Sequence, residues 1–163
     1  MPDDLHRTDI VTWSRRQADA LRRHVAGERV NDLDWAHVIE EIEGSGSSEI
    51  AQVGSLLTQA MIHALKAVRW PDHPSAKHWF AEALTFLDQA QERYRPSMRQ
   101  DIDAVRRFAR ARRTVLAMPM DFAAQPIPDA LGLSIEDLMD ETADLRALID
   151  AIGRGEAAGS TPD

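Results

Sequence analysis

From Ile10 to Ile152 the apolar residues recur at three- and four-residue spacing, and no run of β-branched residues alternates with polar ones. A period near 3.6 lines residues along one side of a helix, whereas a half-buried strand needs a period of two. A chain patterned in this way can build a core only by packing helix on helix. This predicts an all-α fold, a single-domain helical bundle of five to six amphipathic helices.

The first helix starts at Ile10, with Ile10, Trp13, Gln17, Ala20, Leu21 and His24 on one side, and Gly27 stops it. Asp34 is an acceptor placed to cap a second helix, whose stripe is Trp35, Val38, Ile39 and Ile42. Gly44 and Gly46 break that run. A third helix, opened by Ser47 or Ser48, carries Ile50, Val53, Leu57, Met61, Ala64, Leu65 and Val68. It ends near Trp70, because Pro71 and Pro74 cannot continue a helix. Ser75 caps a fourth, with Trp79, Phe80, Ala83, Leu87, Ala90 and Tyr94 inward. Pro96 separates it from a fifth, where Met98, Ile102, Val105, Ala109 and Leu116 form the stripe. After a proline-marked loop from Pro119 to Leu133, Ser134 and Asp137 form a capping box. They open a last helix through Ile135, Leu138, Thr142, Leu145, Ile149 and Ile152. The domain is expected to span residues 1–152, and the small, polar stretch 153–163 is predicted to be a disordered tail.

Composition narrows the function classes. A chain of 163 residues can bury roughly 70% of its unfolded surface, enough for a sizeable core. With no cysteine, disulfides, thiolate chemistry and cysteine metal sites are excluded. No apolar run approaches the roughly 18 residues of a membrane span, and the N-terminus lacks the basic-then-apolar order of a secretory signal. A cytoplasmic location without membrane contact is the expectation. The net charge of -8 argues against nucleic-acid binding, which needs clustered Lys and Arg. The run from Arg106 to Arg113 is an exception, since Arg106, Arg110 and Arg113 share a helical face. Its plain reading is a solvated face or a partner for the chain's own carboxylates, with an acidic protein or a nucleic acid as the alternative.

Several motifs occur in a fixed order: Trp13 with Gln17 and Leu21, LDW at Leu33 to Trp35, and EEIE at Glu40 to Glu43. Gly46, Ser48 and Glu49 follow, then H-x-L-K at His63 to Lys66, then Trp79. The series resembles the bacterial family catalogued as domain of unknown function 29, from about Leu5 to Glu141. There are departures. The family usually has a tryptophan directly after the H-x-L-K lysine, where this chain has Ala67, and Gly44-Ser45-Gly46 is more flexible than the usual form. Thr142 onward reads as an extension. The resemblance implies an α-helical fold and no established activity, and it supplies no catalytic residues.

Three functions follow from the residues. The first is a non-catalytic domain that binds an unidentified protein partner through an acidic helix face. Its docking ridge is Glu40, Glu41 and Glu43, with Trp35 fixing the helix. Glu43 and Glu49 flank the expected turn, where a close pair of carboxylates could bind a divalent cation. The plain alternative is that Glu49 stabilises a helix amino end. The second function is a metal-dependent enzyme. His63 precedes the Pro71–Pro74 link by about two turns, and His78 and Glu82 follow it on one face, so the three converge across the hairpin. Such a trio suits a divalent metal that keeps one position open to water. No cofactor is otherwise expected. The third is a self-associating module whose apolar stripes pair between copies, giving a homo-oligomer.

Overall fold

The computed structural model describes residues 5–156. Among the described residues it is all-α with no strand. The helices are α1 (Leu5–Thr8), α2 (Ile10–Val25), α3 (Trp35–Arg69), α4 (Ala76–Arg93), α5 (Ala104–Leu116), α6 (Ile135–Leu138) and α7 (Leu145–Arg154), with a 3-10 turn at Pro96–Met98. Two compact units divide between Ser47 and Ser48. The first turns of α3 belong to the first unit and the remainder to the second.

In the first unit, Asp9 caps α2 by accepting from the Thr12 backbone N–H, and Gly27 ends the turn after it at φ 87°. That left-handed conformation suits glycine, which lacks a Cβ to clash. Trp13 and Ala20 are buried, and His6 packs edge-on against Trp13 and stacked on His37. Gln17 joins the inter-helix segment to α2. Its Nε2 donates to the Asp32 carbonyl at 3.3 Å, and its Oε1 accepts from the Asp34 N–H at 2.8 Å. Asp34 then caps α3, accepting from the His37 backbone N–H. The Trp13, Gln17 and Leu33–Trp35 motifs thus form one local assembly.

The second unit is organised on the part of α3 from Val53 to Arg69. Val53, Leu57, Ala60, Met61, Ala64 and Leu65 are fully buried or nearly so. α4 supplies Trp79, Ala83, Leu87 and Ala90 to the same core, α5 supplies Phe108, Ala111 and Val115, and α7 supplies Leu148, Ile149 and Ile152. Full burial of a large apolar side chain contributes roughly 1.5–3 kcal/mol, so this cluster is the main source of stability. The Ser134–Asp137 capping box forms as expected. Buried Gln91 spans from α4 to the end of α6, its Nε2 donating to the carbonyls of Leu138 at 2.8 Å and Asp140 at 3.2 Å. The Leu138 carbonyl closes a four-residue helix, where carbonyls have no intrahelical partner, and the Asp140 carbonyl also accepts from the Ala143 N–H at 3.1 Å.

Three expectations are corrected. Gly44 and Gly46 do not break a helix, and Ser47 and Ser48 do not open one, because α3 is continuous from Trp35 to Arg69. A helical glycine costs only about 1 kcal/mol relative to alanine, which the rest of a long helix outweighs. Ser47 Oγ donates back to the Glu43 carbonyl at 3.2 Å, a bond within the helix. The turn that Glu43 and Glu49 were expected to flank is therefore absent. Second, α5 buries Ala104, Phe108, Ala111 and Val115, whereas Val105, Ala109 and Leu116 of the expected stripe are exposed. Two rows of apolar residues satisfy helical spacing there, and the core took the row containing Phe108. Third, the last helix is two, separated where Asp144 caps α7 by accepting from the Arg146 N–H. Gly153 and Arg154 belong to α7, and Gly155 ends it in the left-handed conformation, so the expected tail boundary falls inside this helix. Residues 157–163 of that tail lie outside the described residues.

A Cβ added at Gly44 or Gly46 meets no atom within 4 Å. Alanine at both positions is expected to stabilise by about 1–2 kcal/mol in total, since each removes a glycine from an exposed helix interior. Urea denaturation followed by circular dichroism measures it, with a higher midpoint as the expected outcome and a lower one counting against a continuous α3.

Candidate functional site

Two groups of side chains stand out, one in each unit. On the opening turns of α3 only Val38 is buried. Trp35, Ile39 and Ile42 are 50%, 52% and 69% exposed. At i, i+4 and i+7 they form a row along one side of the helix. Trp35 is steadied by an edge-on contact with His24, ring centres 5.8 Å apart. Glu40, Glu41 and Glu43 are all exposed, but they are not equivalent. Helical spacing places Glu40 and Glu43 on the flank of the row away from Val38, while Glu41 lies on Val38's side. There Glu41 Oε1 meets His6 Nε2 at 2.7 Å. Of the expected acidic ridge, Glu40 and Glu43 thus border the apolar row, and Glu41 serves the packing of its own unit. Glu49, in the second unit, lies 3.7 Å from Arg93 as an exposed ion pair.

The second group lies between α3 and α4. Glu82 receives His63 and His78 on separate oxygens: His63 Nδ1 is 2.9 Å from Oε2, and His78 Nε2 is 3.4 Å from Oε1. The expected convergence of the three across the Pro71–Pro74 link is present. The His63 contact is close in distance but lacks hydrogen-bond alignment, which leaves a buried ring nitrogen held by proximity to charge. His63 also packs on Phe86, ring centres 5.4 Å apart. Lys66, one helical turn beyond His63, places its Nζ 4.4 Å from the centre of the Trp79 ring. Trp79 in turn stacks on His73, which meets Phe122 edge-on.

Lys66 belongs to this group as well, and its i, i+3 spacing from His63 is the sequence signal that places it on the same helical face. Burial lowers the pKa of both His63 and Lys66; for His63 the Lys66 charge lowers it further while Glu82 opposes, and for Lys66 only Glu82 opposes. Chemically the group is a carboxylate shared by two imidazoles beside an ammonium on an indole face. A divalent ion would require both imidazoles to turn from the carboxylate toward a common point. Among the described residues, no three His, Asp or Glu side chains are disposed to hold a metal as they stand.

The lowered His63 pKa couples protonation to folding. The unfolded chain binds a proton near pH 6.5, and the folded chain only at lower pH. The stability from neutral His63 is therefore present above about pH 6.5 and is lost as pH falls toward the folded value. Urea midpoints measured from pH 7.5 to 5 should fall more steeply in the wild type than in His63→Gln. Equal slopes would show that His63 is not the group responsible.

Comparison with known proteins agrees with the helical architecture. The chain is similar to a crystallised α-helical protein of unknown function from Rhodospirillum rubrum, 27% identical, with a TM-score of 0.66. The likeness covers 89% of this chain and 95% of that one. No curated protein matches. Among the described residues no helix is long and apolar enough to cross a membrane. The family model for a domain of unknown function, DUF29, matches residues 5–143, which take in both side-chain groups. The chain belongs to the DUF29 family.

Proposed function

We propose that the chain is a docking module that binds a basic amphipathic helix of a protein partner along the opening turns of α3. One observation carries this reading: Trp35, Ile39 and Ile42 form an exposed apolar row bordered by Glu40 and Glu43. Single exposed apolar residues are common on protein surfaces, but a contiguous row with a tryptophan at its end is what helix-docking faces present. Tryptophan is also among the residues that most often dominate interface energy. The two carboxylates select a partner with Lys or Arg beside its apolar stripe, through charge complementarity. Neither has an ion-pair partner among the described residues, so both are available for this role.

Trp35 is the half-exposed indole among four tryptophans, the other three being buried. Titration with a synthetic helical peptide bearing leucines on one face and arginines beside them should shift its fluorescence to the blue. Trp35→Ala should weaken affinity at least tenfold, about 1.4 kcal/mol, and Glu40→Lys with Glu43→Lys should weaken it and remove its salt dependence. A peptide affinity indifferent to all three substitutions would overturn the reading.

A second reading is favoured by the convergence of His63, His78 and Glu82: a divalent metal held there, activating water for hydrolysis. The Lys66 ammonium works against it, since a nearby positive charge opposes binding of a cation. Elemental analysis of the purified chain after incubation with zinc tests it. Stoichiometric metal lost in His78→Ala would support this reading, and metal-free protein would eliminate it.

A further inference from the structure

The second unit carries a counterpart to the α3 face. On α5, Val105, Ala109 and Leu116 are exposed, Val105 by 65% and Leu116 by 42%. They form a row at i, i+4 and i+11. Arg106, Arg110 and Arg113 are exposed along one flank of it. α5 has five arginines and no acidic residue. Two are already engaged: Arg112 is paired with Asp129, and the half-buried Arg107 donates to Thr58 Oγ1 at 3.4 Å. Arg106, Arg110 and Arg113 have no carboxylate partner among the described residues. Asp101 and Asp103 lie only at the amino end of this face. In a chain of net charge -8, three unpaired arginines beside an exposed apolar row need a reason.

We infer that the partner of the α3 face is a second copy of this chain, with α3 of one copy packed antiparallel on α5 of the other. The orientation follows from helix geometry. At 100° per residue, Glu43 and Glu40 lie about 80° and 140° round from Trp35, and Arg113, Arg106 and Arg110 lie about 80°, 100° and 140° round from Val105. The charges therefore sit on the same rotational side of the two apolar rows. When two such helices face each other in parallel, their flanks fall on opposite sides of the seam. When they are antiparallel, the flanks coincide, and Glu40 and Glu43 oppose Arg113, Arg110 and Arg106. The same rule disfavours pairing α3 with α3, because antiparallel copies would bring carboxylate to carboxylate. Nucleic acid on the arginine face would leave Val105 and Leu116 uncovered and bring a chain of net negative charge to phosphate. The inference rests on the docking reading and specifies its partner.

The test is the mass of the full chain in solution by sedimentation velocity at low salt. The wild type should sediment as two or more copies of the 18.2 kDa chain and shift toward single chains at 0.5 M salt, which screens exposed ion pairs. One variant carries Glu40→Arg and Glu43→Arg; a second carries Arg106→Glu, Arg110→Glu and Arg113→Glu. Each alone should be a helical monomer, because in each the facing flanks have one sign. Mixed, they should associate again, since every α3–α5 contact between unlike variants pairs opposite charges. Circular dichroism confirms that both fold, and recovery on mixing cannot come from misfolded chains. A wild type that stays monomeric at 100 μM, or variants that fail to recover on mixing, would overturn the inference. A monomeric wild type that still binds the basic peptide through Trp35 would overturn only the second copy, whereas loss of peptide binding as well would overturn the docking reading with it.

Discussion

The second unit depends on one constraint: the face of α3 from Val53 to Leu65 is buried along its whole length. α4, α5 and α7 contribute their buried residues to the same core, and that requirement constrains where each must lie. Close approach is needed as well as apolarity. A Cβ at Gly54 would fall 2.0 Å from the Arg107 guanidinium, and one at Gly153 would fall 2.6 Å from a Val68 methyl. Both glycines are notches, one that admits a cation from α5 and one that lets the backbone of α7 approach. At the far end of α3, Trp70 is almost wholly enclosed and meets Trp79 edge-on, closing the hairpin that carries His63, Lys66 and Glu82.

This end of the hairpin explains the peculiar chemistry of the polar group. A histidine and a lysine one turn apart would repel if both were solvated and charged, and burial strengthens that repulsion. Glu82 compensates from α4, and the Trp79 ring accepts the ammonium on its face. The group is therefore balanced only while α4 keeps its register against α3. A turn's slip would move Glu82 and Trp79 together and leave the Lys66 ammonium on α3 without either partner. Whatever else the group does, it specifies that register, as paired polar groups inside helical packings can.

What the sequence disclosed follows the range of the interactions. The Ser134 capping box, the Asp34 cap and the stop at Pro71 are decided within four residues, and each was legible. The convergence of His63, His78 and Glu82 was also legible, because the proline link between two long apolar stripes leaves little choice of topology. Other features were not. Continuity through Gly44 and Gly46 depends on whether roughly 1 kcal/mol per glycine exceeds what the flanking turns supply, which composition does not reveal. The buried face of α5 was ambiguous because Phe108 sits among arginines, and helical spacing accepts either apolar row. The Gln91 bridge joins residues 47 and 49 positions apart, with no local pattern to announce it.

The misread face of α5 is itself informative. Val105, Ala109 and Leu116 have the spacing of a core stripe, yet they remain in water while a second apolar row on the same helix fills the core. α3 shows the same condition in its opening turns, where Val38 packs inward and Trp35, Ile39 and Ile42 do not. A helix needs one apolar side to fold into a monomeric domain, and a second side gains nothing from folding alone. Its exposure costs solubility unless charges border it, and in both helices they do, with carboxylates on one and guanidiniums on the other. Opposite signs on otherwise similar faces make attraction between unlike faces and repulsion between like ones. In the pairing we infer, apolar contact alone would provide adhesion, and the flanking charges would turn it into selectivity.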